Sequence, residues 1–291
     1  MGRPYDAVSL LTDLGTRDEL AGVVRAVIAD IAPHARLIDL THEIATFDIR
    51  AGSLALARAI SYVPAGVVLA SVDPGSLVDR PGVAIEVGDG AGVLVGPDNG
   101  LLAPAVAMAG GAGRCIALTD VAYHLGAPGP TFAARDVFAP IAAALCNGVD
   151  LFELGEMVEA DGLVPGVVPL PRDDAGSLVC EVLWVDRFGN CQLNIGPDEV
   201  EHLGDRVRVT VGDPAAPTVR SVAFVRRFAD VGVGAIGLLV DAYGMLTLVL
   251  DQRSAADELG VAAGDAVTLT PSVDDVSTGI STPIQLRPNH G

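Results

Sequence analysis

The alternation of apolar and polar positions divides the chain into two rhythms. Through the first half, short apolar runs alternate with stretches of helical period. YDAVSLLTD reads as a buried strand. Thr16 then precedes Glu19 in a T-x-x-E capping box, and Leu20, Val23, Val27, Ile28 and Ile31 mark one helical face as far as Pro33. RLIDL, GVVLASVD, GVAIEVG and GVLVG are further strands, and helical stretches follow near residues 48–61, 99–109 and 135–147. This rhythm predicts a largely parallel sheet covered by helices, an α/β, Rossmann-like three-layer domain over residues 1–165.

Beyond that point the period changes. VVPLPRDDAGS is rich in Pro, Asp and Gly and reads as a linker, residues 166–177. Short strands separated by turns follow: LVCEVLWVD, CQLNI, DRVRVTV, TVRSVAF, AIGLLVD, MLTLVL and DAVTLTP, with one short helix near 253–259. The pattern predicts a small antiparallel β-barrel domain over 178–291.

Composition narrows the possible functions. The chain carries 18 basic residues, every one an arginine, against 37 acidic ones. With no lysine there is no P-loop lysine and no Schiff base. A formal charge of −19 argues against a sequence-independent grip on nucleic acid, which needs a cationic face, and is compatible with a cationic small substrate. No apolar run reaches membrane-spanning length, and MGRPYDAVSLLTD lacks the layout of a signal peptide. Cys115, Cys146, Cys180 and Cys191 are scattered, as suits reduced thiols in a cytoplasmic protein.

Among the motifs, GVGAIG (232–237) matches a dinucleotide fingerprint by letter, but it follows a loop and leads into a strand-like segment, so it reads as a glycine-rich turn. His34 and His42 lie near Asp39 without a third ligand at metal-site spacing; they read as turn and surface histidines, and no metal site is expected. More informative are polar groups at element ends: Asp13 after the first strand, Asp73 at the Pro-Gly turn of ASVDPGSLVDR, Arg135 and Asp136 opening a helix, and Asp186, Arg187 and Asn190 in the turn WVDRFGN. Each has a structural reading as a cap or turn acid. In α/β proteins, however, ligand groups gather at the carboxyl ends of strands.

Taken in order, TDLGTRDE, DLTHEIATFDIRAG, VDPGSLVDR, VGPDNGLL, TFAARDVFAP, VDRFGNCQLNI and DAYGMLTLVL resemble the S-adenosyl-L-methionine (SAM) hydroxide adenosyltransferases, the water-using relatives of fluorinase and chlorinase. The resemblance implies hydrolysis of SAM at C5′ to adenosine, L-methionine and a proton, with SAM as substrate and no cofactor. It also implies a homotrimer with each site between subunits. It gives Asp13 to the ribose cis-diol, Phe132 and Phe228 to the walls around the nucleoside, and Asn190 to the adenine edge. Asp186 meets the methionine ammonium, and Tyr243 lies at the amino-acid end, beside an Ala242 that is serine in many relatives.

By the same resemblance Asp73 holds the attacking water and Arg80 is its partner. The halogenases carry an uncharged tyrosine at the position of Asp73, and a carboxylate there repels a halide while accepting a proton from water. A 5′-halogenase is therefore disfavoured. One departure stands out. Hydrolytic relatives commonly read T-F-H-G-R-D where this chain has Thr131, Phe132, Ala133, Ala134, Arg135 and Asp136, so the usual histidine position is Ala133. That leaves a non-catalytic adenosine- or SAM-binding protein as the rival reading. His124 lies nine residues earlier, in YHLGAPGP.

Overall fold

The structure is a computed structural model that describes residues 4–75, 77, 80–174 and 176–272. Ser76, Val78 and Asp79 of the VDPGSLVDR motif, and residues 273–291 of the second expected domain, lie outside the described residues. The chain divides into two compact units, Met1–Pro169 and Leu170–Gly291.

The first unit is built on strands β1 (Ala7–Thr12), β2 (Arg36–Thr41), β3 (Val67–Ser71), β4 (Gly82–Val87), β5 (Gly92–Pro97), β6 (Ala112–Ala117) and β7 (Glu156–Met157), in the order β2-β1-β3-β5-β4-β6-β7. Its helices are α1 (Leu20–Ile31), α2 (Ile49–Ile60), α3 (Ala103–Met108) and α4 (Ala139–Cys146). β1 and β3 are buried along their whole length, so alternate side chains feed two separate cores. Val8, Leu10, Val67 and Leu69 join Val24 and Ile28 of α1 and Ile141 of α4 on one side. Leu11, Val68 and Ala70 join Leu56 of α2 and Val106 of α3 on the other. Three layers result.

The sheet is less parallel than the sequence rhythm predicts. β2, β1, β3 and β5 run parallel, but β4 pairs antiparallel with both β5 and β6. The cause is local. Only Gly88 to Ala91 separate β4 from β5, and Gly88, Asp89 and Gly90 all have positive φ, which makes a tight hairpin; a parallel pair needs a far longer crossover. The capping box also fails to form. Glu19 caps α1 without a side-chain bond, and the Thr16 hydroxyl instead donates to Glu43 at 2.6 Å, across to the loop after β2. The buried face of α1 is correspondingly turned toward Ala21, Val24 and Ile28.

The second unit contains β8 (Arg172–Asp174), β9 (Ser177–Val185), β10 (Cys191–Leu193), β11 (Arg206–Val211), β12 (Thr218–Phe224), β13 (Ile236–Val240), β14 (Leu246–Leu250), helix α5 (Ala255–Leu259) and β15 (Ala266–Pro271). The order β10-β14-β13-β12-β11-β15-β9 closes through a β9–β10 pairing, giving a seven-stranded barrel to which β8 adds on β9. β12 and β13 pair in parallel, unlike the other strands, because residues 225–235 carry the chain back to the same end before β13 begins. GVGAIG is that return: Gly234 sits in a turn at φ +69° and Ile236 opens β13, so no helix follows for a pyrophosphate to cap. All four cysteines are free and buried; burial pushes the Cys146 thiol up to about 11 and those of Cys180 and Cys191 up to about 12, which makes them unreactive packing groups. No described helix is long and apolar enough to cross a membrane.

Candidate active site

Parallel pairing brings the carboxyl ends of β1, β3 and β5 side by side. Thr12 stands opposite Ser71 in the register, so Asp13 and Asp73 leave the sheet on adjacent strands, and Asn99 follows on the next.

Asp13 organises this edge. Its Oδ2 accepts the main-chain amide of Phe47 at 3.1 Å and that of Asp73 at 3.3 Å. Both amide donors have left-handed backbone, Phe47 at φ +68° and Asp73 at φ +41°, a conformation that non-glycine residues rarely hold. Asp73 is gripped from its other end by Asn99, whose Nδ2 donates to the carbonyls of Val72 (3.0 Å) and Asp73 (2.9 Å). The Asn99 Oδ1 in turn accepts the Leu101 amide at 3.1 Å.

Arg80 pairs with Asp98 at 2.5 Å rather than with Asp73, a correction to the pairing expected from the sequence. Asp98 is nearly buried and also takes the Val164 amide at 2.8 Å, so it offers Arg80 a fixed carboxylate. His42 is buried rather than a surface histidine. Its Nδ1 bonds to the Thr12 hydroxyl at 2.8 Å and its Nε2 meets Asp39 at 3.1 Å, while Asp39 is paired with Arg25. This chain braces the end of β1 immediately before Asp13. Among the described residues no group of three acidic, histidine or cysteine side chains could hold a metal ion.

Beside this edge lies a cleft of about 780 Å³, lined by Pro74 and Gly75 of the turn after Asp73, and by His124, Thr131, Ala133 and Asp136. Residues 134–138 form a turn of π-helix that runs into α4; such widened turns recur at functional sites. The turn buries Asp136, which binds the Arg135 guanidinium at 2.5 Å, and Arg135 lies 5.1 Å from the centre of the Phe132 ring.

The barrel unit has its own cleft, of about 420 Å³, and Asp186, Asn190, Phe228 and Tyr243 all line it. In the WVDRFGN turn the Asp186 carboxylate accepts the amides of Phe188 (2.8 Å) and Asn190 (2.9 Å) on one oxygen, and the Asn190 side-chain nitrogen (2.7 Å) on the other. The Asn190 side chain is thereby fixed through its amide nitrogen. The sequence reading missed Asp241. Its carboxylate takes four donors: Gln192 Nε2 at 2.6 Å, Thr247 Oγ1 at 3.0 Å, and the amides of Tyr243 (2.8 Å) and Met245 (3.1 Å). It fixes the loop that carries Tyr243. Asn99 and Phe47 were missed as well. All three lie inside the motifs DAYGM, VGPDNGLL and IATFDIRAG, but no spacing rule marks a residue that acts through the main chain.

A family model described as the SAM hydroxide adenosyltransferase N-terminal domain matches residues 8–155, and that of the C-terminal domain matches 180–268. The chain belongs to this family. An (R)-S-adenosyl-L-methionine hydrolase of Salinispora tropica is 41% identical over 267 residues, covering 92% of this chain and 98% of that protein. The protein of the same description from Salinispora arenicola is 37% identical, covering 90% and 97%. A crystal structure of a conserved Thermotoga maritima protein superposes with a TM-score of 0.81 at 30% identity, over 90% of this chain and 99% of that one. A fluorinase of an Actinoplanes species is more distant, at 24% identity over 90% of this chain and 97% of that protein.

Proposed function

We propose that the chain hydrolyses S-adenosyl-L-methionine at C5′: an oxygen derived from water attacks C5′, the C5′–S electron pair leaves on sulfur, and adenosine, L-methionine and a proton result. The observation that carries this reading is Asp73. Holding a non-glycine residue in left-handed backbone costs on the order of 1–3 kcal/mol, and such strain clusters at active sites. Asp73 is held so at a strand mouth, by Asp13 on its amide and by Asn99 on its carbonyl. A carboxylate there favours a nucleophile that loses a proton and repels a halide, which supports water as the co-substrate.

The sulfonium leaves as a neutral thioether, so the leaving group needs no proton, and the reading requires no cofactor. Catalysis then rests on placing water, C5′ and sulfur in line, a positioning effect that can supply several kcal/mol. Asp13 keeps Oδ1, free of protein hydrogen bonds among the described residues, for the ribose diol. Phe132 and Phe228 pack on the nucleoside, Asn190 reads the adenine edge, and Asp186 and Tyr243 receive the amino-acid end. Arg80, tied to Asp98, contributes positive potential rather than a direct bond to Asp73. From the family resemblance we propose a homotrimer in which one copy supplies the first set and a neighbour the second. Its compartment is the cytoplasm, where buried unpaired thiols persist.

Incubation with SAM and chromatography of the products tests the reading. Adenosine and methionine in equal amounts are expected, with turnover falling 10²-fold or more in Asp73→Asn, which keeps the shape but removes the charge that orients the water and favours loss of its proton. A 5′-halonucleoside formed only with halide, or tight binding without turnover, would overturn it. Mixing Asp73→Ala with Asn190→Ala chains should restore activity through mixed sites, and a fully active monomer in sedimentation would refute the trimer.

A further inference from the structure

The 780 Å³ cleft beside Asp73 has a feature that the fold does not explain. His124 lines it, and its Nε2 is shielded from solvent with no hydrogen-bond partner among the described residues. Buried polar nitrogens are almost always paired, and one left alone in a cleft points to a missing ligand or water. The ring is not there by accident of a loose loop. The His124 amide donates to Val121 at 3.1 Å, and the next amide, Leu125, donates to the Asp136 carbonyl on the π-helical turn at 2.8 Å. The backbone that carries the imidazole is thus tied to the Val121 turn on one side and to the π-helical turn on the other. The opposing walls, Pro74-Gly75 and Thr131, and the methyl of Ala133 give it no competing base.

We propose that His124 is the general base of the reaction: its Nε2 accepts the proton of the water that attacks C5′. This rests on the hydrolase reading above. As the oxygen bonds to C5′ and the C5′–S bond breaks, one water proton passes to Nε2. The neutral imidazole becomes imidazolium and releases that proton to solvent after product leaves, so one proton is delivered per SAM consumed. Asp73 orients the same water from the strand mouth.

The electrostatics suit the role. Desolvation holds the imidazole below its usual 6.5, opposed by the charge of Asp120 on the adjoining segment, so the ring is neutral and able to accept at pH 7. Three further charged groups bear on this water: Asp73, which shares it at the strand mouth; Asp136, which lines the cleft from the π-helical turn and is paired with Arg135; and Arg80, beyond the turn after Asp73, which is paired with Asp98.

The test compares pH–rate profiles of full-length wild type and His124→Gln, with the ring nitrogens of His124 followed by NMR as adenosine and methionine are added to wild type. The expected wild-type kcat rises through one inflection below pH 6.5 to a plateau. His124→Gln should lower the plateau tenfold or more and abolish the inflection, with KM for SAM little changed. The Nε2 resonance should shift on ligand addition, a readout that does not depend on the variant folding. Turnover indifferent to His124→Gln, or an inflection that survives it, overturns the base role alone. No adenosine from wild type overturns both the base role and the hydrolase reading. An Nε2 resonance blind to ligand places His124 outside the site.

Discussion

Asp13 and Asp73, sixty positions apart in sequence, are joined by a hydrogen bond from the Asp73 amide to the Asp13 carboxylate, at 3.3 Å across the ends of neighbouring parallel strands. One acid thus sets the backbone of the other. Asp13→Ala removes that bond, its partner bond to Phe47, and a charged acceptor for ribose; hydrogen bonds to charged groups are worth about 1.5–3 kcal/mol each. Adenosine affinity measured by calorimetry should fall at least tenfold. Unchanged affinity in a folded variant would remove Asp13 from the site.

Asn99 should matter to rate more than to binding. Asn99→Ala leaves the carbonyls of Val72 and Asp73 without their side-chain donor, at about 1–3 kcal/mol in stability by urea unfolding. With Asp73 free to leave φ +41°, kcat should drop tenfold or more while KM for SAM changes little. An unaltered kcat would show that Asp73 needs no clamp.

Gly189 makes the Asp186–Asn190 turn possible. It sits at φ +82°, and a Cβ there would meet Ser254 Oγ at 2.2 Å and Ser254 Cα at 2.6 Å. Gly189→Ala should therefore displace Asn190, lowering both thermal stability and adenosine affinity. Adding Ser254→Ala should not rescue it, because the clash reaches backbone. Restoration by that second change would mean the side chain alone was in the way.

Glu86 makes acid stability measurable at one ion pair. The Arg114 guanidinium grips it with bonds of 2.7 and 2.9 Å, and this hydrogen bonding holds its carboxyl below the ordinary 4.5. A lowered carboxyl pKa stabilises the fold fully above the ordinary value and loses that contribution as pH falls through the folded value. In denaturant titrations the stability gap between wild type and Glu86→Gln should hold steady at neutral pH and shrink only below about pH 4.5. A gap that vanishes near neutrality would contradict it.

The sequence by itself determined the elements that local physics fixes. Both cores follow from apolar period: fully buried β1 and β3 from unbroken hydrophobic runs, the barrel strands from turn-bounded β-branched runs, and α5 from its Ser254 cap and the left-handed Gly260 after it. The acids at strand ends were equally legible, because a polar residue closing a buried run has few other reasons to be there. Tertiary structure decided the rest. β6 was not recognised, since AGRCIA is short and lacks alternation, and β4 turned antiparallel through the hairpin at residues 88–91, whose Asp-Gly signal the strand–helix rhythm overrode. Partners across strands cannot be read from spacing. The sequence placed Arg80 with Asp73, yet packing offered it the nearly buried Asp98; it left His42 on the surface, yet Thr12 and Asp39 enclose it. The unpartnered nitrogen of His124 is the same kind of fact, for only the folded chain shows which polar atom is shielded from water and still without a bond.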